Sequence, residues 1–106
     1  MLGVTAGLDP HKLIQVVANS SGNSSAFKSF SERALAGEFE PRFALNLAYK
    51  DLHLALELGD ELGVPLPQGS STHNLQRLAR GMGHGPHDSS SILRVYETAL
   101  GRTVKP

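Results

Sequence analysis

The stretch from Phe43 to Leu62, FALNLAYKDLHLALELGDEL, restricts the fold more than any other part of the chain. It follows Pro41 and closes at Gly63 with Pro65 just beyond, which predicts a helix from about Arg42 to Leu62. Phe43, Leu47, Leu54, Leu58 and Leu62 fall along one line of that helix, and Leu45, Leu52 and Leu56 fall on others. A helix wetted along one side needs a single apolar stripe, so this one is expected to be the central element of the domain. Lys50 and Asp51 interrupt it at its middle. Two adjacent charges on such a helix are costly to bury, so they should reach a cleft, a neighbouring charge or a ligand. The plainer reading is that one lies on a narrow wet face and the other forms an ordinary ion pair.

The rest of the chain divides into helix-length pieces around this segment. Met1 to Ala6 is short and mildly apolar and runs into Gly7, the pattern of a helix end whose beginning is not present. Asp9-Pro10 is a good N-cap and first-turn pair, and Leu13, Ile14, Val16 and Val17 follow at helical spacing, predicting a helix from Pro10 to about Asn19. A polar loop from Ser20 to Ser24 leads into a helix from about Ser25 to Ala36, ended by Gly37, with Phe27, Phe30, Ala34 and Leu35 as its buried stripe. A fourth helix is expected from about Gly69 to Met82 with Leu75, Leu78 and Ala79 inward, broken by the turn Gly81 to Pro86. Asp88 or Ser89 can cap a fifth, running through Ile92, Val95 and Leu100 to Gly101, and Arg102 to Pro106 read as frayed. No stretch alternates with period two and no repeat is visible. The fold class is therefore all-α, a bundle of about five helices in a single domain spanning 1–106.

Length and charge narrow the partners. A chain of 106 residues can bury roughly 65% of its unfolded surface, which calls for one hydrophobic core. Ten basic and ten acidic residues leave no net charge, and so no field that would gather nucleic acid. The absence of cysteine excludes disulfides, thiolate nucleophiles and zinc-thiolate sites, and permits a cytoplasmic address. No apolar stretch is long enough for a membrane span or a signal peptide.

Several smaller motifs carry both a chemical and an ordinary reading. His84, His87 and Asp88 cluster after the glycine turn, but the five histidines match no zinc spacing and read as solvated loop residues, so no metal is expected. The alternating glycines Gly81, Gly83 and Gly85 follow a helix instead of a strand and lack the GxGxxG fingerprint, which makes them a turn and not a phosphate loop. The loop Ser21, Gly22, Asn23 and Ser24 offers hydroxyls and loose backbone next to a helix start, suited either to an anion or to plain capping. No nucleophile-base or paired-carboxylate arrangement can be located by spacing.

Taken in order, GLDP, SSGNSSAFK, GEFEPRFALNLAYKDLHLALELGDELGVPLP and GMGHGPHDSSSILRVYE resemble the C-terminal domain of the 3-hydroxyisobutyrate dehydrogenase and tartronate semialdehyde reductase family of β-hydroxyacid dehydrogenases. The resemblance covers nearly the whole chain. Its most specific part runs from Phe39 to Pro67, with KDL inside a long helix and G-x-P-x-P after it, and the GxGxxD turn from Gly83 to Asp88 supports it. It implies a helical domain like that of 6-phosphogluconate dehydrogenase, which closes the active-site cleft against a Rossmann domain absent from this chain. The implied reaction is reversible hydride transfer between NAD or NADP and a small β-hydroxyacid. The family's catalytic lysine would lie upstream of Met1, so no catalytic residue is expected here and the isolated chain is expected to be inactive, with weak cofactor affinity at most. Lys50 matches the KDL lysine that reaches the nicotinamide end of the cofactor, Asp51 the acid beside it, and Phe43 the aromatic that lines the substrate pocket. Ser21, Gly22, Asn23 and Ser24 match a loop facing the cleft. The resemblance also implies a homodimer or larger assembly. The competing expectation is a non-catalytic helical module that dimerises or binds another protein.

Overall fold

A computed structural model describes all residues from Met1 to Pro106 and is entirely helical apart from one isolated bridge. The elements are α1 (Leu2–Thr5), α2 (Pro10–Ala18), α3 (Ser25–Ala36), α4 (Leu45–Leu62), α5 (Pro67–Gly81), a 3-10 turn (Ser89–Ile92) and α6 (Leu93–Leu100). The caps fall where the sequence placed them. Asp9 Oδ1 accepts from the Lys12 N–H at 3.0 Å and Ser24 Oγ from the Phe27 N–H at 2.9 Å, each satisfying an orphan donor of the first turn. At the other end of α4, Gly63 takes the left-handed conformation with φ 67°, which lets the chain reverse. Gly59, one turn earlier, is buried beneath Leu66, and a Cβ there would sit 2.6 Å from Leu66 Cδ1.

Two boundaries differ from expectation for reasons of backbone bonding. The predicted start of the long helix at Arg42 moves to Leu45, because Ala44 is extended and forms an antiparallel bridge with Asp88. The Leu45 and Asn46 N–H groups then donate to the His87 and Gly85 carbonyls at 2.8 and 2.9 Å. Turn carbonyls, not a side chain, cap α4. Phe43 consequently stands ahead of the helix. At α5 the helix begins at Pro67, not Gly69, since proline at the first position needs no N–H partner.

Packing departs further from the sequence reading. α4 packs most extensively on α5, and α2 packs on α3. The expected single core is split: Ala34, Leu35 and Val104 form one cluster with Met1, Val4, Ile14 and Leu93 around it, and Leu45, Ala79 and Val95 form another with Leu75 and Ile92. Only 14 of 106 residues are buried, because an open apolar cleft separates the two clusters. α4 is central in the chain but not enclosed, and Leu47, Leu54, Leu58 and Leu62 along its main apolar line are exposed. Leu78, read as inward, is exposed as well, while Ala79 beside it is fully buried. The tail is not frayed: Val104 is buried against Ala34 and Leu35, and its N–H donates to Glu97 Oε1 at 2.8 Å. A single valine docked between α3 and α6 anchors a segment whose composition carries no helical signal.

Candidate functional site

Lys50 and Asp51 sit at the middle of α4 with side chains 61% and 59% exposed, and they approach each other at 3.8 Å. An exposed pair at that separation contributes little to stability. Both heads therefore remain accessible, flanked on the same exposed surface of the helix by Leu47 and Leu54. Charged groups between exposed leucines make a surface suited to contact with another domain more than to solvent.

The apolar cleft has a volume of about 580 Å³ and lies where α2 and α3 face α4, α5 and the 3-10 turn. Phe43 lines it, together with Phe27, Phe30, Leu45, Ile92 and Leu93. Its polar rim includes Gln76 and Ser89, whose Oε1 and Oγ atoms are buried without a hydrogen-bond partner. Of the cofactor and substrate residues expected from the sequence, Phe43 alone is on this wall; Lys50, Asp51 and the loop Ser21, Gly22, Asn23 and Ser24 are not. That loop is exposed, and Ser24 spends its hydroxyl on capping α3. The chain by itself thus does not assemble these residues into one pocket.

What orders Phe43 is a network centred on Asp88, which the sequence marked as a cap and as the acid of the GxGxxD turn. Asp88 is fully buried. Its Oδ2 accepts from Arg33 Nη1 at 2.5 Å and from the Arg42 and Phe43 N–H groups at 3.2 and 3.3 Å, and its Oδ1 accepts from the Ser90 N–H and hydroxyl at 3.1 and 2.7 Å. Arg33 Nη2 in turn donates to the Glu40 carbonyl. Burial pushes the Asp88 carboxyl up, but the bonds from Ser90, Arg33 and Arg42 outweigh it and hold it well below the usual carboxylate range. One carboxylate ties α3, the 39–44 segment and the 3-10 turn together. The spacing of 55 residues between Arg33 and Asp88 leaves no signal in a single sequence. The GxGxxD pattern marked the acid without indicating its partner.

A second cluster lies between α4 and α5. The rings of His73, Tyr49 and His53 form a triangle of mutual stacking contacts, with centroids 4.3 Å apart for His73 and Tyr49, 5.4 Å for His73 and His53 and 6.0 Å for Tyr49 and His53, and Arg80 lies over Tyr49 at 4.0 Å. Elsewhere, His84 and His87 approach through their Nδ1 atoms at 3.4 Å. No group of three or more potential ligands is gathered that could hold a metal ion. The glycine turn is not a phosphate cradle, because it presents the Gly85 and His87 carbonyls to the start of α4. Among the side chains named for cofactor contact, the Lys50 ammonium has the chemistry to donate to an amide or hydroxyl. No helix is long and apolar enough to cross a membrane.

The domain is all-helical, leaves one cleft open and displays a charged pair on a leucine-rich face. Comparison with known proteins gives that form a family. A family model described as the NAD-binding part of NADP-dependent 3-hydroxyisobutyrate dehydrogenase matches residues 1–96. The chain is 38% identical over 105 residues to 2-(hydroxymethyl)glutarate dehydrogenase of Eubacterium barkeri, covering 98% of this chain and 35% of that enzyme. It is 32% identical over 95 residues to L-threonate dehydrogenase of Cupriavidus necator, covering 90% and 32% respectively. The crystal structure of a 3-hydroxyisobutyrate dehydrogenase from Salmonella typhimurium superposes with a TM-score of 0.85 at 30% identity, over 89% of this chain and 33% of that one. The chain belongs to the 3-hydroxyisobutyrate dehydrogenase family, and it spans about a third of the length of these relatives.

Proposed function

We propose that this domain is the helical half of an NAD(P)-dependent β-hydroxyacid dehydrogenase of the cytoplasm, which closes over the nicotinamide end of the cofactor and pairs with a second copy. The carrying observation is the accessible Lys50-Asp51 pair set between exposed leucines on α4. When bound, the nicotinamide cofactor supplies hydride transfer to or from the substrate carbon. The Lys50 ammonium donates hydrogen bonds to the cofactor near that end and adds positive potential toward a substrate carboxylate. Asp51 orients Lys50 from one residue away. Phe43 supplies an apolar wall that excludes water from the reacting centre, and the loop Ser21, Gly22, Asn23 and Ser24 borders the entrance. The proton-transferring group and the pyrophosphate site belong to the other half, so the chain alone is inactive and holds NAD or NADP weakly. The exposed leucines at the C-terminal end of α4, Leu58 and Leu62, support association into a homodimer or larger.

The test is a chimera in which this chain replaces the corresponding C-terminal third of L-threonate dehydrogenase. Hydride transfer should be retained, and Lys50→Ala should reduce kcat/KM for the cofactor by about ten- to a hundred-fold, as loss of a charge-assisted bond of ~1.5–3 kcal/mol requires, with an unchanged melting temperature. A variant that melts lower but keeps its cofactor kinetics would make Lys50 structural.

A further inference from the structure

His73 is the most deeply enclosed imidazole of the chain. It is 4% exposed, on the face of α5 that meets α4, and its Nε2 is buried without a hydrogen-bond partner. Its two ring neighbours come from α4, where Tyr49 and His53 lie one turn apart, so the stack bridges the most extensive helix contact in the domain. The charged groups facing it are Arg77 and Arg80 on its own helix and His53 across the contact. All are cationic or become so on protonation. Of the acids on the surrounding elements, Glu57 Oε1 approaches His53 Nε2 at 3.2 Å, Asp88 is paired with Arg33, and Glu97 accepts from the Val104 N–H. Arg94, on the neighbouring α6, lies over Phe39. A proton placed on His73 would create a buried cation with no carboxylate to meet it, beside two guanidiniums.

We propose that the Tyr49–His73–His53 stack is a proton-operated latch between α4 and α5, closed when His73 is neutral and released when it takes up a proton from solvent. Burial, then Arg77, His53 and Arg80, all push the His73 midpoint down, so the geometry and the charge distribution act in the same direction. The unfolded chain protonates this imidazole at its ordinary pKa of about 6.5. The folded chain resists, so stability is complete above that pH and falls as pH drops below it. Because Tyr49 immediately precedes Lys50, release of the stack loosens the segment that carries the charged pair. That consequence for cofactor contact rests on the proposed function, whereas the latch is an event within this chain and is tested without cofactor.

The wild-type chain is titrated by proton NMR of its histidine rings, and its thermal midpoint is measured at pH 7.5 and 5.5 beside His73→Phe, which keeps a stacking ring without a titrating nitrogen, and His84→Asn. Amide exchange across residues 46–57, corrected for intrinsic rates, reports opening of α4. The expected results are a His73 midpoint below that of free imidazole and a wild-type thermal midpoint that falls between the two pH values. The fall should be at least halved in His73→Phe and mostly retained in His84→Asn, and exchange in α4 should be faster at pH 5.5 than at pH 7.5 in the wild type but not in His73→Phe. An unchanged fall in His73→Phe overturns the latch. If that variant does not fold, the wild-type titration decides, and a His73 midpoint at or above the free value overturns it.

Discussion

Removing the charge of Asp88 should damage this domain more than any other single isosteric change. In Asp88→Asn the carboxamide keeps roughly the same volume, and its oxygen can still accept from Ser90, but its NH2 group is turned against donors. The Arg42 and Phe43 N–H groups and Arg33 Nη1 all meet at Oδ2, and only one side-chain oxygen remains to serve both sets. Arg33, buried on α3, loses its counterion. Leaving one member of a buried pair uncompensated costs about 3–5 kcal/mol, a large fraction of the ~5–15 kcal/mol that holds a domain together. With a urea slope of ~1.5 kcal/mol/M, the unfolding midpoint followed by far-UV circular dichroism at pH 7 should fall by about 2–3 M. The sign with pH follows from the lowered Asp88 midpoint: its contribution is present above the ordinary carboxylate value and lost as pH falls below it. Wild-type stability should therefore decline below about pH 4 more steeply than that of the variant. The double change Arg33→Met with Asp88→Leu should recover part of the loss, because both charges leave together, though the freed backbone donors keep recovery incomplete. A loss below ~1 kcal/mol in Asp88→Asn, or a double variant whose loss equals the sum of the singles, would show that Arg33 and Asp88 do not act as a coupled pair.

Two further outcomes follow from the packing. Val104→Ala removes two methyl groups from the α3–α6 contact and should cost about 1.5–2 kcal/mol, read as a lower melting temperature; an unchanged value would mean that the tail does not anchor the fold. Light scattering at tens of micromolar should give at least twice the 11.3 kDa chain mass, since the leucines at the end of α4 need a partner, and Leu58→Glu with Leu62→Glu should return it to a monomer; a monomeric wild type would refute that association.

The sequence by itself determined the helices and most of their ends, because the signals for these are local. Asp9 and Ser24 cap the turns that follow them, and Gly37, Gly63 and Gly101 close helices as their left-handed conformations require. The KDL segment was legible for the same reason, since two charges among leucines stand out within one helical turn. Tertiary structure decided everything that depended on distant partners. The start of α4 moved to Leu45 because carbonyls about 40 residues away, at Gly85 and His87, take its first N–H groups. Asp88 found Arg33, His73 settled against Tyr49 and His53, and Val104 docked on α3, each through contacts that no spacing in one sequence encodes. Periodicity shows which residues share a face of a helix, but not whether that face is covered. For Leu47, Leu54, Leu58 and Leu62, the chain's own elements leave it open.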